Sequence, residues 1–225
     1  MQSRIKNIWD RIAKAAAQSG RTAGEVTLVA VSKTVDVDQV DRAALLGIQD
    51  FGENRVPELL RKQQAFPELR WHMIGRLQTN KVKDLIGKTV LIHSLDRWSL
   101  ARELNRRAQL AQTTVDALVQ VNIAGEEQKG GLAPEDVESF LSSLGELPAL
   151  RIKGLMTMAP EASNAEEVRP VFRELKELKL KLLKRQYDYV DLKYLSMGMS
   201  QDFEVAVEEG SNMVRIGSAI FAQLL

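Results

Sequence analysis

Apolar positions along this chain follow two alternating rhythms. Ile5, Ile8, Trp9, Ile12 and Ala16 recur at the spacing of one helical face and Gly20 follows as a stop, so the chain opens on an amphipathic helix. Beyond it, continuous apolar runs at 27–32, 69–75, 90–94, 117–123, 152–158, 192–197 and 213–221 read as buried strands, and a weaker run at 48–53 reads as one more. Helical patterns fill 37–46, 55–64, 79–86, 98–111, 134–144, 165–185 and 203–209 between them. Eight strands interleaved with helices, the strands apolar on both faces, predict a parallel α/β protein. A closed (β/α)8 TIM barrel with an extra N-terminal helix fits the eight units best; an open doubly wound sheet shares the same periodicity. The lysine-rich stretch 172–185 carries Leu175, Leu178 and Leu182 as a core-facing stripe and is read as an outer barrel helix, while Lys81 and Lys83 read as solvated positions.

The length of 225 residues suits one barrel, and no linker, low-complexity tract or short repeat divides the chain, so residues 1–225 are expected to form a single domain. With 31 Lys+Arg against 30 Asp+Glu, no broad field steers the chain toward nucleic acid or an anionic membrane, and a small-molecule partner is favoured. There is no cysteine, which excludes disulfides and thiolate chemistry, and two histidines leave little for a metal site. The N-terminus lacks a signal-peptide stretch and no run is long enough to span a bilayer, so a cytoplasmic protein is expected.

In a parallel barrel, function gathers at the C-terminal tips of the strands. The first strand ends Val29-Ala-Val-Ser-Lys33-Thr34, and period-two alternation puts Lys33 on the face of Val29 and Val31, expected to be the barrel interior. A lysine desolvated at an apolar barrel mouth offers a neutral amine that can attack a carbonyl and form an imine; a surface lysine ending a strand is the plainer alternative. Ser196-Met-Gly-Met-Ser200 leaves the seventh strand, and Arg215-Ile-Gly217-Ser218 lies on the eighth, the two places where barrels often bind phosphate. Ser200 could equally cap the helix that follows, with Asp202 in its first turn, and Gly217 could be a packing glycine. Asn54, ending the second strand, could face a ligand or cap a helix. His72 reads as a buried structural histidine, and His93, placed at the end of the fourth strand, supports no separate role. No hydrolase, glycosidase, Walker or zinc-enzyme motif is present. A lysine tip facing an anion site calls for a ligand with both a carbonyl and a phosphate. Pyridoxal 5′-phosphate (PLP) has both, as does an aldose phosphate handled by a Schiff-base aldolase.

Six stretches in order carry a resemblance: Val29-Ala-Val-Ser-Lys33-Thr34, Phe51-Gly-Glu-Asn-Arg55, His72-Met-Ile-Gly-Arg-Leu-Gln-Thr-Asn-Lys81, Gly154-Leu-Met-Thr-Met158, Leu195-Ser-Met-Gly-Met-Ser-Gln-Asp202 and Val214-Arg-Ile-Gly-Ser218. Together they resemble the signature segments of the PLP homeostasis protein family, the YggS or PROSC type. The resemblance implies a fold like the barrel domain of alanine racemase, with Lys33 as the PLP lysine. It maps Ser200, Gly217 and Ser218 onto the phosphate site, Arg215 onto the partner of the pyridine nitrogen and Asn54 onto a cofactor-lining position. His72 belongs to a matching stretch without an assigned role.

The same reading sets an expectation about turnover. PLP enzymes draw electrons into a protonated pyridine ring, whereas a guanidinium has only donors and leaves the nitrogen unprotonated. Barrel-type racemases work despite this, using a second base from an added β domain. Here the sequence stops at Leu225, shortly after Ser218, so that domain and its base are expected to be absent, the mouth open and the protein a monomer. The expected function is a non-catalytic PLP-binding protein of PLP homeostasis that influences amino-acid and keto-acid pools; the alternative is a single-domain PLP-dependent amino-acid racemase.

Overall fold

The computed structural model describes residues 1–222; residues 223–225, the end of the expected domain, lie outside the described residues. Eight parallel strands pair in chain order and close on themselves, β1 (Thr27–Val31), β2 (Asp50–Glu53), β3 (Arg70–Met73), β4 (Leu91–Leu95), β5 (Val115–Gln120), β6 (Leu150–Met156), β7 (Val190–Ser196) and β8 (Met213–Ile216). Pairing of β1 with β8, Val29 opposite Arg215, makes the closure that periodicity could not reveal. Nine α-helices accompany the strands among the described residues: α1 (Gln2–Gln18), α2 (Val37–Leu45), α3 (Val56–Ala65), α4 (Val82–Leu85), α5 (Trp98–Leu110), α6 (Val137–Ser143), α7 (Arg169–Leu182), α8 (Phe203–Glu208) and α9 (Ser218–Phe221). This is the (β/α)8 TIM barrel with an extra N-terminal helix.

Alternation along each strand sorts side chains into two layers. Leu28, Ala30, Phe51, Trp71 and Ile92 face outward and join the main core beneath the helices, and Phe172, Leu175 and Leu182 of α7 join the same core over β6 and β7, as its apolar stripe predicted. Val29, Leu91, Leu118, Met156 and Met213 form a separate cluster inside the barrel. α1 seals the outside of the last unit, where Arg11 binds Glu204 at 2.5 Å and lies over the Phe203 ring.

Several boundaries differ from the sequence expectation. The run 213–221 is a strand only to Ile216; Gly217 turns the chain and Ser218–Phe221 is a helical turn with Ile220 and Phe221 buried. A short apolar run buried on every side looks the same as strand or helix. Gly217 and Ser218 therefore sit past the eighth strand, at the entry to α9, and not on the strand as expected. The helices expected at 79–86, 134–144 and 165–185 each begin with a 3-10 turn, at Thr79–Lys81, Pro134–Asp136 and Ala165–Val168.

Candidate functional site

The C-terminal mouth of the barrel holds a cavity of about 580 Å³. Lys33 and Asn54 line it on one side, Ser200, Gly217 and Ser218 on the other, with Arg215 at its floor and Lys129, Asp96 and Met158 around the rim. All six sequence-selected positions thus meet in one cavity. Lys33 and Asn54 also border a neighbouring cavity of about 520 Å³ shared with Arg55, Glu58 and Arg61.

The loop after β7 owes its shape to Gly198. Its φ of +93° suits glycine, and a Cβ there would come within 2.6 Å of the Ala206 Cβ. The Gly198 carbonyl accepts from the Arg215 N–H, which ties the loop to β8. Ser200 does not cap α8: the N-cap residue is Asp202, whose carboxylate accepts instead from the Met199 N–H. The Ser200 hydroxyl turns the other way and accepts from the Ala219 N–H at 3.3 Å, joining this loop to the start of α9. At Gly217 a Cβ would stand 3.1 Å from the Val31 carbonyl oxygen, so glycine lets α9 begin close against β1. On the opposite side, Asn54 does not cap α3, whose N-cap is Arg55. The capping alternatives for Ser200 and Asn54 are both set aside by these helix starts.

Lys33 departs from expectation. β1 ends at Val31, and Lys33 stands two residues beyond it with its side chain exposed rather than desolvated, next to Thr34 at φ 74°. What fixes its place lies underneath and on the other face of the wall. Ser32 and Glu53, the residues before Lys33 and Asn54, point outward and meet Lys62 of α3 in a fully buried cluster. Lys62 Nζ donates to Glu53 Oε1 at 2.6 Å and to the Ser32 carbonyl at 2.7 Å, while Ser32 Oγ donates to the same Glu53 oxygen at 2.6 Å. The cluster clamps the tips of β1 and β2 together. Sequence reasoning missed it, although Lys62 falls three residues after buried Leu59 on the apolar face of α3, where a lysine needs a partner. Lys62→Met should leave Glu53 buried without its cation and lower unfolding free energy by about 3–5 kcal/mol. Urea denaturation reads this directly, and an unchanged midpoint would show the pair contributes nothing.

Arg215 is 4% exposed. Its Nη1 donates to Ser196 Oγ at 2.7 Å and its Nη2 to the Thr157 carbonyl at 2.9 Å. Burial draws the guanidinium down to about 10, against the opposing charge of Asp202, so it remains a cation at neutral pH. Burial in turn holds the Asp202 carboxyl above its ordinary range. Behind Arg215 the interior is polar: His93 and His72, both buried, bond to each other at 3.0 Å, His93 Nδ1 lies 3.0 Å from Ser196 Oγ, and His72 Nε2 lies 2.8 Å from Asp50 Oδ1. His93 is mid-strand, not at a strand end as expected, and its ring bridges His72 and Ser196. Burial pushes both histidines down from 6.5, His93 further because His72 and Arg215 add unfavourable charge, while Asp50 partly offsets the shift of His72.

That depression sets a pH dependence. Below 6.5 the unfolded chain takes protons that the folded histidines refuse, so stability falls as pH drops from there, by up to about 1.4 kcal/mol per pH unit for each histidine. His93→Gln should flatten the slope between pH 6.5 and 5 in chemical denaturation; an identical slope in the variant would place the titrating group elsewhere.

With this geometry in view, the comparisons with known proteins are direct. Residues 5–224 match the alanine racemase N-terminal domain family. A protein of Aquifex aeolicus named pyridoxal phosphate homeostasis protein is 47% identical over 222 residues, spanning 98% of this chain and 96% of that one. The chain belongs to the pyridoxal phosphate homeostasis protein family. Its member in Escherichia coli K12 is 37% identical over 96% of this chain and 94% of its own. Among solved structures, PipY of Synechococcus elongatus without PLP has a TM-score of 0.84 at 34% identity, covering 96% of this chain and 100% of PipY. The PLP-bound form of PipY has a TM-score of 0.82, also at 34% identity, over 94% of this chain and 100% of PipY. Among the described residues no helix is long and apolar enough to cross a membrane, and no group of three or more His, Asp or Glu side chains is placed to hold a metal ion.

Proposed function

We propose that the chain binds pyridoxal 5′-phosphate at the barrel mouth and acts in PLP homeostasis as a carrier that takes up and releases the cofactor. Lys33 provides the amine for a covalent carbon–nitrogen link, Ser200, Gly217 and Ser218 receive the phosphate, Asn54 lines the ring and Arg215 faces the pyridine nitrogen. The donor set fits this group. Arg215 is the observation that carries the reading: it is buried, held by Ser196 and Thr157, and opens into the cavity between the Lys33 tip and the α9 entry, with N–H groups left to donate to an acceptor on a ligand. Ser200 and the first turn of α9, already joined through the Ala219 N–H, supply a hydroxyl and a tight backbone turn where a phosphate would lie. When bound, PLP supplies an aldehyde that condenses with an amine and a ring that withdraws electrons.

A donor-only partner at the ring nitrogen weakens that withdrawal, which favours holding the cofactor over turning it. The name carried by the Aquifex and Escherichia relatives points the same way. The roomy mouth leaves space for an amino or keto acid beside the cofactor, the proposed route by which such pools interact with the carrier. Absorption spectra before and after borohydride, with mapping of the reduced peptide, test the site: a pyridoxyl tag on Lys33 is expected, and a tag elsewhere rejects it. Incubation with L-amino acids in deuterated water tests the carrier reading. Steady α-proton exchange or accumulation of the D-isomer above the level of free PLP would replace it with a racemase.

Ser200→Ala should weaken PLP retention by roughly 1 kcal/mol. Equilibrium dialysis measures this, and equal retention would remove the hydroxyl from the phosphate site.

A further inference from the structure

A row of hydrogen bonds runs the length of the barrel interior, from Asp50 at the start of β2 through His72 on β3, His93 on β4 and Ser196 at the end of β7 to Arg215 on β8. Its ends are chemically opposite. A guanidinium can only donate and a carboxylate can only accept, so the two ends dictate every proton between them. Ser196 Oγ accepts from Arg215 and must turn its own hydrogen to His93 Nδ1. His93, neutral in its buried setting, then carries its proton on Nε2 and donates to His72 Nδ1; His72 likewise carries its proton on Nε2 and donates to Asp50 Oδ1.

We propose that Asp50, His72, His93 and Ser196 are positioning residues for Arg215, forming a one-way row that locks its guanidinium in place as a donor toward the cofactor ring from the far end of the barrel. The row is an orienting device and not a proton path, because Arg215 has no lone pair with which to receive a proton at the mouth. A second proton on either histidine would set two N–H groups against each other at the 3.0 Å His72–His93 contact or against the Ser196 hydroxyl, so the row also resists rearrangement. Groups facing it are few: Arg70 pairs with Asp50 at 3.1 Å at the solvent end, and Asp202 acts on Arg215 at the mouth. The inference rests on the PLP reading above, in that the ring nitrogen is what Arg215 faces.

Nitrogen-15 histidine spectra of the full chain without cofactor come first. Both rings should be neutral with the proton on Nε2; an Nδ1–H form of either would overturn the row. Ser196→Ala cuts the row beside Arg215, and Asp50→Leu, of similar size but with no acceptor for His72 Nε2, cuts it at the other end. Titrated with PLP, each variant that retains the native circular dichroism should hold the cofactor about tenfold more weakly and shift its visible band toward the protonated ring. A band and affinity within twofold of the parent in either folded variant would overturn the proposal, and Asp50→Leu decides it if Ser196→Ala does not fold. A pyridoxyl tag off Lys33 overturns the cofactor reading and this inference together. A tag on Lys33 with inert variants sinks the row alone.

Discussion

Lys33→Ala should abolish the protein-bound visible absorption of PLP completely and leave no pyridoxyl peptide after borohydride. The expectation follows from what the other amines are doing. Among the described residues lining the mouth cavity, the lysines are Lys33 and Lys129. Lys129 is committed: its Nζ donates to the Ala159 carbonyl at 2.7 Å and pairs with Glu126 at 2.7 Å. Lys62, near in sequence to the second strand tip, lies outside the barrel wall with its ammonium spent on Glu53 and Ser32. Lys33 alone of these three has no hydrogen bond or ion pair among the described residues, and its exposure leaves the side chain free to swing over the mouth. The fold should tolerate the change, because Lys33 is exposed and the Ser32–Glu53–Lys62 clamp beneath it is untouched. The variant should keep the parent's urea midpoint and hold PLP only by reversible contacts at Arg215 and the α9 entry. A variant that still yields a reduced pyridoxyl adduct would move the covalent residue, with Lys129 the first to map.

Much of this site was legible in the sequence, and the part that was not has a common cause. Strand tips are marked by abrupt change from apolar to polar, so Lys33, Asn54, Ser200 and Arg215 could be placed on one rim as soon as the strands were counted. The closure of β1 on β8, which brings Val31 at the end of β1 against Gly217, follows from twist and length and leaves no trace in periodicity. Local alternatives failed for a local reason: whether Ser200 caps α8 depends on the helix beginning at Phe203, a matter of one or two residues. The polar interior escaped because a row needs partners from β2, β3, β4, β7 and β8 together, and His72, His93 and Ser196 are unremarkable taken singly. Lys62 was the recoverable miss. A cation on the buried stripe of α3, nine residues after a glutamate at the tip of β2, is a pair asking to be closed.

Arg215→Glu is the second large effect, and it acts on the cofactor and the fold at once. On the proposed placement, the buried Arg215 would face the ring nitrogen with donors only and keep that nitrogen an acceptor. A glutamate in its place offers an acceptor and favours a protonated ring, and the spectrum of bound PLP should move to that form. The variant also inverts the charge beneath Asp202, whose carboxyl is already raised by burial against the opposing Met199 N–H and the charge of Arg215. Two carboxyl groups in that space favour sharing a proton, which makes PLP binding weaken further as pH rises through the new titration. Structurally, the Thr157 carbonyl loses the donor it has at 2.9 Å, and Ser196, freed from accepting, can turn its hydrogen toward the new carboxylate and away from His93. Breaking this buried set should cost roughly 3–5 kcal/mol, so the urea midpoint falls together with the spectral change. The two readouts separate the roles. A destabilised variant whose bound PLP keeps the parent spectrum would leave Arg215 as a structural residue of the barrel floor and remove it from beside the ring nitrogen.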